Sequence, residues 1–280
     1  MQPYEIIVVD SGSTDATLDV CSGYGCKIVH IRSEDFSFGR SLNVGCRATS
    51  GDLLVFISAH VYALDPGWLS SLVAPFKTED IGLVYGRQTG DHRSQFSELQ
   101  IMRKWFPSAS VEDQRNPFCN NANCAIRRHW WERLPYDEDL TGLEDLDWAK
   151  RLLAAGGRIA YEASATVAHI HEESFARTRH RYQREAMAHS RIFHDQNVGS
   201  ALCLVLFGSN VARDYAAALA SRTLFRNLLA IPRFRAAQFM GIRSAFRSRG
   251  IVTGELRRRF YYPKGFESRR HASISRGRNR

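Results

Sequence analysis

The sequence predicts an α/β protein with a mostly parallel sheet, flanking helices and a helical C-terminal extension. Short runs rich in β-branched residues, at residues 5–10, 27–31 and 53–57, alternate with stretches of helical periodicity, as in sheets covered by helices on both faces. From residue 175 onwards the helical periodicity dominates. With 280 residues, 44% of them hydrophobic, the chain can bury a large core, which excludes a disordered protein.

The first run ends at the carboxylate of Asp10 and is followed by turn-forming residues at 11–15. Ligands of open α/β sheets bind beyond the carboxyl ends of the strands, so we expect Asp10 and this turn to face a binding site. There a carboxylate can accept a hydrogen bond from a ribose hydroxyl or a base N–H. The alternative is that Asp10 and Asp15 only cap the helix predicted over residues 16–21.

Arg40 and Asn43 follow the second run and lie three residues apart on a predicted helix, where they share one face. The guanidinium of Arg40 suits a phosphate group because it can donate to two oxygens at once. A surface ion pair with Glu34 or Asp35 is the alternative role of this arginine.

Residues 116–124 contain an asparagine-rich segment at the entry to an apolar strand. Asn121 and Asn123 suit the hydroxyl groups of a sugar because an amide side chain both donates and accepts hydrogen bonds. The alternative is a turn in which asparagine side chains bond to the backbone.

Glu144 and Asp145 stand at the start of a predicted amphipathic helix that ends before Gly156. Adjacent carboxylates suit the removal of a proton from a reacting hydroxyl. Carboxylates in a first helical turn also complement the helix dipole and cap free N–H groups. The local pattern leaves both roles open.

Three histidines follow predicted strands. His60 comes after the run at residues 53–57, while His169 and His171 alternate along a later strand and therefore point to the same side. Together they can form a metal or diphosphate site. The alternative is that each has a packing or hydrogen-bonding role.

Positive charge is concentrated at the C-terminus. Residues 231–280 hold 14 Lys or Arg and 2 Asp or Glu, a net charge of +12, whereas residues 1–230 hold 24 basic and 27 acidic residues. Such a segment suits an anionic lipid, polymer or nucleic acid. The apolar centre of the longest uncharged run, residues 201–207, is far shorter than the ~20 residues of a membrane span, so no transmembrane helix is predicted.

The sequence resembles family 2 glycosyltransferases of the Rossmann-like GT-A fold, particularly rhamnosyltransferase-like members, over residues 1–175. Three segments carry the resemblance in this order: Val8-Val9-Asp10-Ser11-Gly12-Ser13-Thr14-Asp15, Arg40-Ser41-Leu42-Asn43-Val44-Gly45 and Gly51-Asp52-Leu53-Leu54-Val55-Phe56-Ile57. The resemblance implies that Asp145 is the catalytic base and that Glu144 supports it. It also implies a set of nucleotide-sugar-binding residues: Asp10, Ser11, Ser13, Asp15, Arg40, Asn43, Asn121 and Asn123.

Two departures from the family pattern affect the expected site. Family members open with another strand before the one that ends at Asp10, and we expect that strand to be missing here. They also carry Asp-x-Asp, which binds a divalent cation, where this chain has Ser58-Ala59-His60. A divalent cation, Mg²⁺ or Mn²⁺, is still expected, with His60 and His169 as candidate ligands. The alternatives are that His60 binds a softer divalent ion, that it contacts the phosphates directly, or that the metal is held elsewhere.

The sequence therefore predicts a GT-A catalytic domain over residues 1–175, a helical basic region over 176–267 and a disordered tail over 268–280. The expected reaction transfers a sugar, with inversion, from a nucleoside diphosphate to a hydroxyl of a saccharide or lipid-linked acceptor in bacterial surface polysaccharide synthesis. We expect a cytoplasmic protein that contacts the anionic inner face of the membrane peripherally and does not bind nucleic acid. The alternatives are a truncated, catalytically impaired homologue and a polyanion- or nucleic-acid-binding protein that uses its Arg-rich tail.

Overall fold

The computed structural model describes residues 4–194 and 198–247. The tail predicted to be disordered, residues 268–280, and most of the predicted basic tail lie outside these ranges. The strands are β1 (Ile7–Asp10), β2 (Lys27–His30), β3 (Leu53–Ile57), β4 (Val61–Ala63), β5 (Ile81–Thr89), β6 (Val111–Gln114), β7 (Asn123–Arg127) and β8 (Arg158–His169). The helices are α1 (Thr17–Gly23), α2 (Phe38–Arg47), α3 (Trp68–Val73), α4 (Phe96–Trp105), α5 (Arg128–Arg133), α6 (Glu144–Ala154), α7 (Phe175–Ile192), α8 (Ser200–Ala220), α9 (Leu224–Asn227) and α10 (Ala230–Arg247).

The strands form two sheets. β1 and β2 pair in parallel, and the larger sheet has the order β3-β7-β5-β8-β4, with β6 also paired to β8. The predicted α/β class is confirmed, but the expectation of a mostly parallel sheet is wrong. In the described part of the chain, β5–β8 is the parallel pairing of the larger sheet, and the pairings of β3 and β5 with β7 and of β4 and β6 with β8 are antiparallel.

Helices on both faces explain why strand direction could not be deduced from the apolar runs. On β5, Leu83 and Tyr85 join one buried cluster with Trp148 of α6, while Val84 between them joins a second cluster with Leu72 of α3. A strand buried on both faces has a continuous apolar run in either direction. The continuous apolar run therefore indicates that helices cover both faces of the strand, and it does not indicate the direction of the strand.

Polar contacts link the small sheet to the segment that follows α2. Glu5 accepts hydrogen bonds from the Thr49 hydroxyl (2.6 Å) and the Ser50 N–H (2.6 Å), and Lys27 Nζ donates to the Ala48 carbonyl (2.7 Å). Of β1, Asp10 is buried and the three preceding residues are partly exposed.

A buried ion pair joins the C-terminal helices α8 and α10 to each other, and the same arginine contacts α4 of the main domain. Arg235 of α10 donates through Nε to Asp214 of α8 (2.8 Å) and approaches the Ser97 carbonyl of α4 (3.5 Å). At Gly241 a Cβ atom would lie 2.4 Å from the Arg179 carbonyl oxygen, so only glycine allows α10 to cross α7 this closely.

Helix α8, 21 residues long, is by length and composition able to cross a membrane, and it is the one such helix within residues 4–194 and 198–247. The expectation of no spanning helix rested on the short apolar centre at residues 201–207. The helix continues the apolar composition beyond that centre, to Ala220. Most of its surface is not buried by the protein.

Candidate active site

The carboxyl pair of Glu144 and Asp145 is buried at the first turn of α6. Leu143 caps the helix in the left-handed region (φ 54°, ψ 29°), a conformation that costs a non-glycine residue ~1 kcal/mol or more. This strained cap fixes the direction in which the helix, and with it the two carboxyl groups, begins.

Asp145 is held by two main-chain donors. Leu146 N–H donates to its Oδ1 (2.7 Å), and Asn121 N–H donates to its Oδ2 (3.2 Å). Asn121 thus joins the asparagine-rich segment to the carboxyl pair. Tyr136 donates its hydroxyl to Asn121 Oδ1 (3.4 Å), which connects the same residue to the loop before α6.

Burial raises the pKa of both carboxyl groups. The charge of Asp145 raises the pKa of Glu144 further, while the N–H groups of Leu146 and Asn121 partly offset the increase at Asp145. The pair therefore favours a state in which Asp145 is ionised and Glu144 retains a proton. In that state Asp145 can accept a proton from a hydroxyl group.

Helix α7 brings charge to the same place. Arg184 lowers the pKa of Glu144 by its positive charge, and its guanidinium lies 4.9 Å over the ring of Phe38. A Cβ atom at Gly142 would meet Arg184 Nε at 3.5 Å. The basic stretch predicted from residue 175 onwards therefore contributes at least one arginine to the carboxyl pair.

Asp10 shapes the turn that follows β1. Its Oδ2 accepts from Gly12 N–H (3.0 Å) and its Oδ1 from Ser13 N–H (2.9 Å). Burial alone would raise the pKa of Asp10, but the hydrogen bonds from Ser13 and Gly12 lower it. Ser11 is partly exposed and Ser13 is exposed, in the turn that Asp10 holds.

Asp15 accepts from the Thr17 N–H (3.1 Å) at the start of α1. This is the capping role considered as its alternative, and a nucleotide-binding role for Asp15 remains a prediction.

Asn43 has a different place from the one predicted. It is buried, and its amide is saturated by protein partners: Nδ2 donates to Tyr136 O and Glu138 Oε1, and Oδ1 accepts from Trp131 Nε1 and Tyr136 N. These contacts fasten α2 to the loop before α6. Arg40, on the exposed side of α2, lies 3.7 Å from Glu138.

Asn123 is also fully buried. Its Oδ1 accepts from Trp68 Nε1 (2.8 Å), and its Nδ2 donates to the carbonyl groups of Arg87 and Ala165. These contacts use the full bonding capacity of the Asn43 amide and both N–H groups of Asn123, whose Oδ1 can still accept one hydrogen bond. A nucleotide-sugar-binding role for either residue remains a prediction.

His60 and His169 meet at the same sheet edge. Ile57, three residues before His60, pairs with Asn123, and His169 ends β8 opposite Val61. Their Nε2 atoms lie 2.8 Å apart, and His169 Nδ1 faces Gln88 Oε1 at 2.7 Å. His60 is exposed as a residue, but neighbouring groups desolvate its ring and lower its pKa to about 4, and burial lowers the pKa of His169 to about 2, so both rings are neutral at pH 7.

Comparison with known proteins relates the first 134 residues to a glycosyltransferase family. Residues 1–134 match the sequence profile described as Glycosyl transferase family 2. Two curated relatives, the O-antigen chain rhamnosyltransferases WbaN of Salmonella anatum and RfbN of Salmonella typhimurium, are each 28% identical to this chain over 181 residues. The chain is therefore similar to family 2 glycosyltransferases over these residues. The alignments cover 61% and 60% of the chain and 58% of each relative, so the chain spans just over half their length.

A solved structure confirms the GT-A fold of this chain. The mannosyltransferase PcManGT from Pyrobaculum calidifontis, in complex with GDP-Man and Mn²⁺, superposes with a TM-score of 0.59. The match covers 87% of this chain and 77% of that one at 17% identity, a level at which the likeness concerns the fold.

The residues that replace Asp-x-Asp in this glycosyltransferase do not fit Mg²⁺ or Mn²⁺. These hard cations take carboxylate, carbonyl and water oxygens, whereas the segment Ser58-Ala59-His60 brings an imidazole next to that of His169. We therefore derive no catalytic step through a hard cation.

Four residues of the site were not identified as such from the sequence. Glu138 lies close to Arg40, and Tyr136 binds Asn121, while Gln88 and Glu98 contact His169 and His171. The acidic turn-forming run at residues 135–139 was a signal for the first two, since it precedes the carboxyl pair directly. Gln88 lies 81 residues before His169, and Glu98 lies 73 residues before His171. No local sequence pattern indicates contacts over such separations.

Proposed function

We propose that this glycosyltransferase transfers a sugar, with inversion, from a nucleoside diphosphate to an acceptor hydroxyl, with Asp145 as the base. The observation that carries the proposal is the buried carboxyl pair, in which two N–H donors stabilise the ionised form of Asp145 beside Glu144. An inverting transfer needs one base on the face opposite the leaving diphosphate. The partners proposed from the sequence are a nucleoside diphosphate sugar and a saccharide or lipid-linked acceptor.

The proposed donor site combines the turn held by Asp10 with the guanidinium of Arg40. Main-chain and hydroxyl groups at Ser11 and Ser13 are placed at the end of β1, where a nucleoside can bind. Arg40 lies near Glu138 at a distance of 3.7 Å, and a phosphate group would replace this long contact with a stronger one. The relatives transfer rhamnose to O-antigen, and we infer a comparable role in surface polysaccharide synthesis.

A pair of substitutions on α6 tests the base. Asp145→Asn removes the proton acceptor, and Asp147→Asn removes a carboxylate on the same helical turn that is paired with Arg151 instead. We expect Asp145→Asn to lower the rate of transfer by roughly 10²- to 10⁴-fold. Asp147→Asn should remain within a few fold of the wild type.

The assay uses UDP-, GDP- and dTDP-linked sugars, rhamnose among them, and calorimetry measures donor binding separately. Donor binding by Asp145→Asn should match that of the wild type. Unchanged transfer by Asp145→Asn would refute the assignment, and failure of the wild type to bind any of these donors would favour the impaired homologue. Because the proposed base acts when ionised, the rate of transfer should increase with pH. The increase should occur above pH 3.8, the ordinary pKa of an aspartate.

We also propose that the protein contacts the cytoplasmic face of the membrane peripherally, through α8 and α9. Large apolar side chains protrude there, including Phe225 (93% exposed) and Leu229 (80%). Exposed arginines accompany them: Arg213, Arg222, Arg226 and Arg233. This combination is typical of helices that lie in the interface of anionic bilayers. The buried ion pair of Asp214 with Arg235 favours such a position for α8 over one that spans the bilayer.

Cosedimentation with vesicles tests this contact. Replacing Phe225 and Leu229 together by Ser should weaken binding to anionic vesicles at least tenfold, since two exposed apolar side chains are lost. Tyr24→Ser, which removes another highly exposed aromatic residue far along the chain, is the control. Equal binding by both variants would contradict the proposed surface.

A further inference from the structure

Three imidazoles from different segments converge at the edge of the larger sheet. His60 follows β3, His169 ends β8, and His171 lies two residues further on. Each offers one nitrogen to a group in which the ligand atoms lie within 4.8 Å of one another. The ring centroids are 4.6 Å apart for His60 and His169, 5.2 Å for His60 and His171, and 4.3 Å for His169 and His171.

The outer contacts of two rings leave the nitrogens of the cluster free to act as ligands. His171 Nδ1–H donates to Glu98 Oε1 (2.9 Å), because a carboxylate can only accept, so its Nε2 carries the lone pair. With Gln88 Oε1 as the acceptor, His169 Nδ1–H donates in the same way (2.7 Å). A carboxylate or carbonyl oxygen on the far nitrogen is the usual companion of a metal-bound histidine.

Glu98 is itself held in place. It is buried on α4 and also accepts from Arg181 of α7 (2.8 Å), which in turn donates to Glu173 (2.9 Å). The ring of His171 is therefore oriented by a network that extends over two helices. A histidine on a solvated strand end would not require such support.

In the metal-free protein, Nε2–H of one ring can donate to the Nε2 of the other across the 2.8 Å between His60 and His169. When a cation displaces that proton, both Nε2 atoms present lone pairs, and cation–nitrogen distances of ~2.0–2.1 Å relieve their repulsion. His60 belongs to the exposed residues, so an ion can enter from solvent and retain a coordination position for another ligand.

We propose that His60, His169 and His171 form a three-histidine site for a borderline divalent transition metal of the Zn²⁺ class, with Glu98 and Gln88 as positioning residues. Imidazole nitrogen suits Zn²⁺, Co²⁺, Ni²⁺ and Fe²⁺, whereas Mg²⁺ requires oxygen ligands. The proposed site adds His171 to the two histidines expected from the sequence and takes a different metal from the expected Mg²⁺ or Mn²⁺. Binding of a diphosphate oxygen at the open coordination position of the ion rests on the proposed function. Binding of the ion itself does not rest on it.

Cobalt serves as the probe because its visible absorption reports ligand type and geometry. The full chain is treated with chelator and titrated with Co²⁺ in the absence of any nucleotide sugar. We expect saturation at one equivalent, competition by Zn²⁺, and no displacement by Mg²⁺ in 100-fold excess. His60→Ala and His171→Ala should each weaken Co²⁺ binding at least tenfold, and Glu98→Gln by roughly 10- to 100-fold.

His129→Ala, which removes an exposed histidine of α5, should bind Co²⁺ as the wild type does. Because His60 is exposed, its replacement leaves the buried core intact, and circular dichroism checks folding of each variant. Absence of a Co²⁺ spectrum, an unchanged affinity in His60→Ala, or displacement by equimolar Mg²⁺ would each overturn the proposal. Asp145→Asn should bind Co²⁺ normally, so the metal site and the proposed sugar transfer can fail independently.

Discussion

The two sheets of the molecule are stabilised in different ways. The larger sheet is buried between helices, with Trp148, Leu72 and Val84 completely inaccessible. In the β1–β2 sheet only Asp10 of β1 is buried, Glu5 and Lys27 make polar contacts with the segment after α2, and every residue of α1 is at least partly exposed. The carboxyl pair thus rests on a rigid layer and the proposed nucleoside turn on a weaker one, a division that suits a fixed base and an adaptable donor site.

The largest expected effect compares a buried residue beside the larger sheet with a partly exposed residue of the small sheet. Trp148→Ala should lower the free energy of unfolding by about 3–5 kcal/mol, since Trp148 is fully buried and stacks on Tyr136. Val8→Ala in the partly exposed β1 should cost roughly 1 kcal/mol. Urea denaturation measures both. Similar losses would show that the small sheet is part of the same core.

The pH dependence of stability should have opposite signs in the two regions. Because the pKa of Glu144 is raised in the folded protein, its contribution to stability is fully present below pH 4.5. This contribution is lost as the pH rises through the pKa of the folded state. Hydrogen bonds from Thr49 and Ser50 lower the pKa of Glu5 to about 2, so its contribution is present above 4.5 and is lost as pH falls towards 2.

Thermal unfolding of two variants checks these signs. Glu144→Gln should be more stable than the wild type at alkaline pH, by roughly 2 to 8 °C in Tm, which corresponds to about 1–2 kcal/mol. The difference should vanish below pH 4.5. Glu5→Gln should be less stable than the wild type at neutral pH and equal to it near pH 2. If the pH dependence of the stability difference had the same sign in both variants, the two sheet regions would not differ in this respect.

The smallest expected effect concerns two residues with positive φ. Gly12 (φ 108°) follows β1, whereas Leu143 (φ 54°) precedes α6. Gly12→Ala should cost about 1 kcal/mol or more, because alanine is strained there. Leu143→Gly should change the free energy of unfolding by less than about 0.5 kcal/mol, since relief of strain is offset by unfolded-state entropy. If Leu143 fixes the carboxyl pair, Leu143→Gly should nevertheless reduce turnover severalfold.

Much of the fold could be predicted from local patterns. The apolar runs identified β1, β2, β3 and β7, and the helical periodicity identified α6 with its Asp147–Arg151 pair. Strand direction could not be predicted, because burial on both faces is independent of it. The run at residues 158–161 and the run from 165 are one strand, β8, since Glu162 and Ser164 face outwards between buried neighbours.

The candidate site was predicted by residue type more successfully than by contact. Asn43 and Asn123 are amides as expected, but their protein partners lie on segments that are distant in sequence and occupy most of their bonding capacity. Pairing of His60 with His169 could be expected from strand ends that meet at one edge. The contact of His171 with Glu98 could not be expected from the sequence, because it depends on how α4 packs.

The position of β3 affects how the protein behaves at high concentration. Within the described ranges β3 pairs with β7 alone, and Val55 and Ile57 on it are exposed. A strand with an open edge and apolar side chains is a template for association with another molecule. Colloidal stability should therefore depend on this edge more than on the well-packed interior. Val55→Lys places a charge on this exposed strand. It should reduce association at high concentration without altering the core.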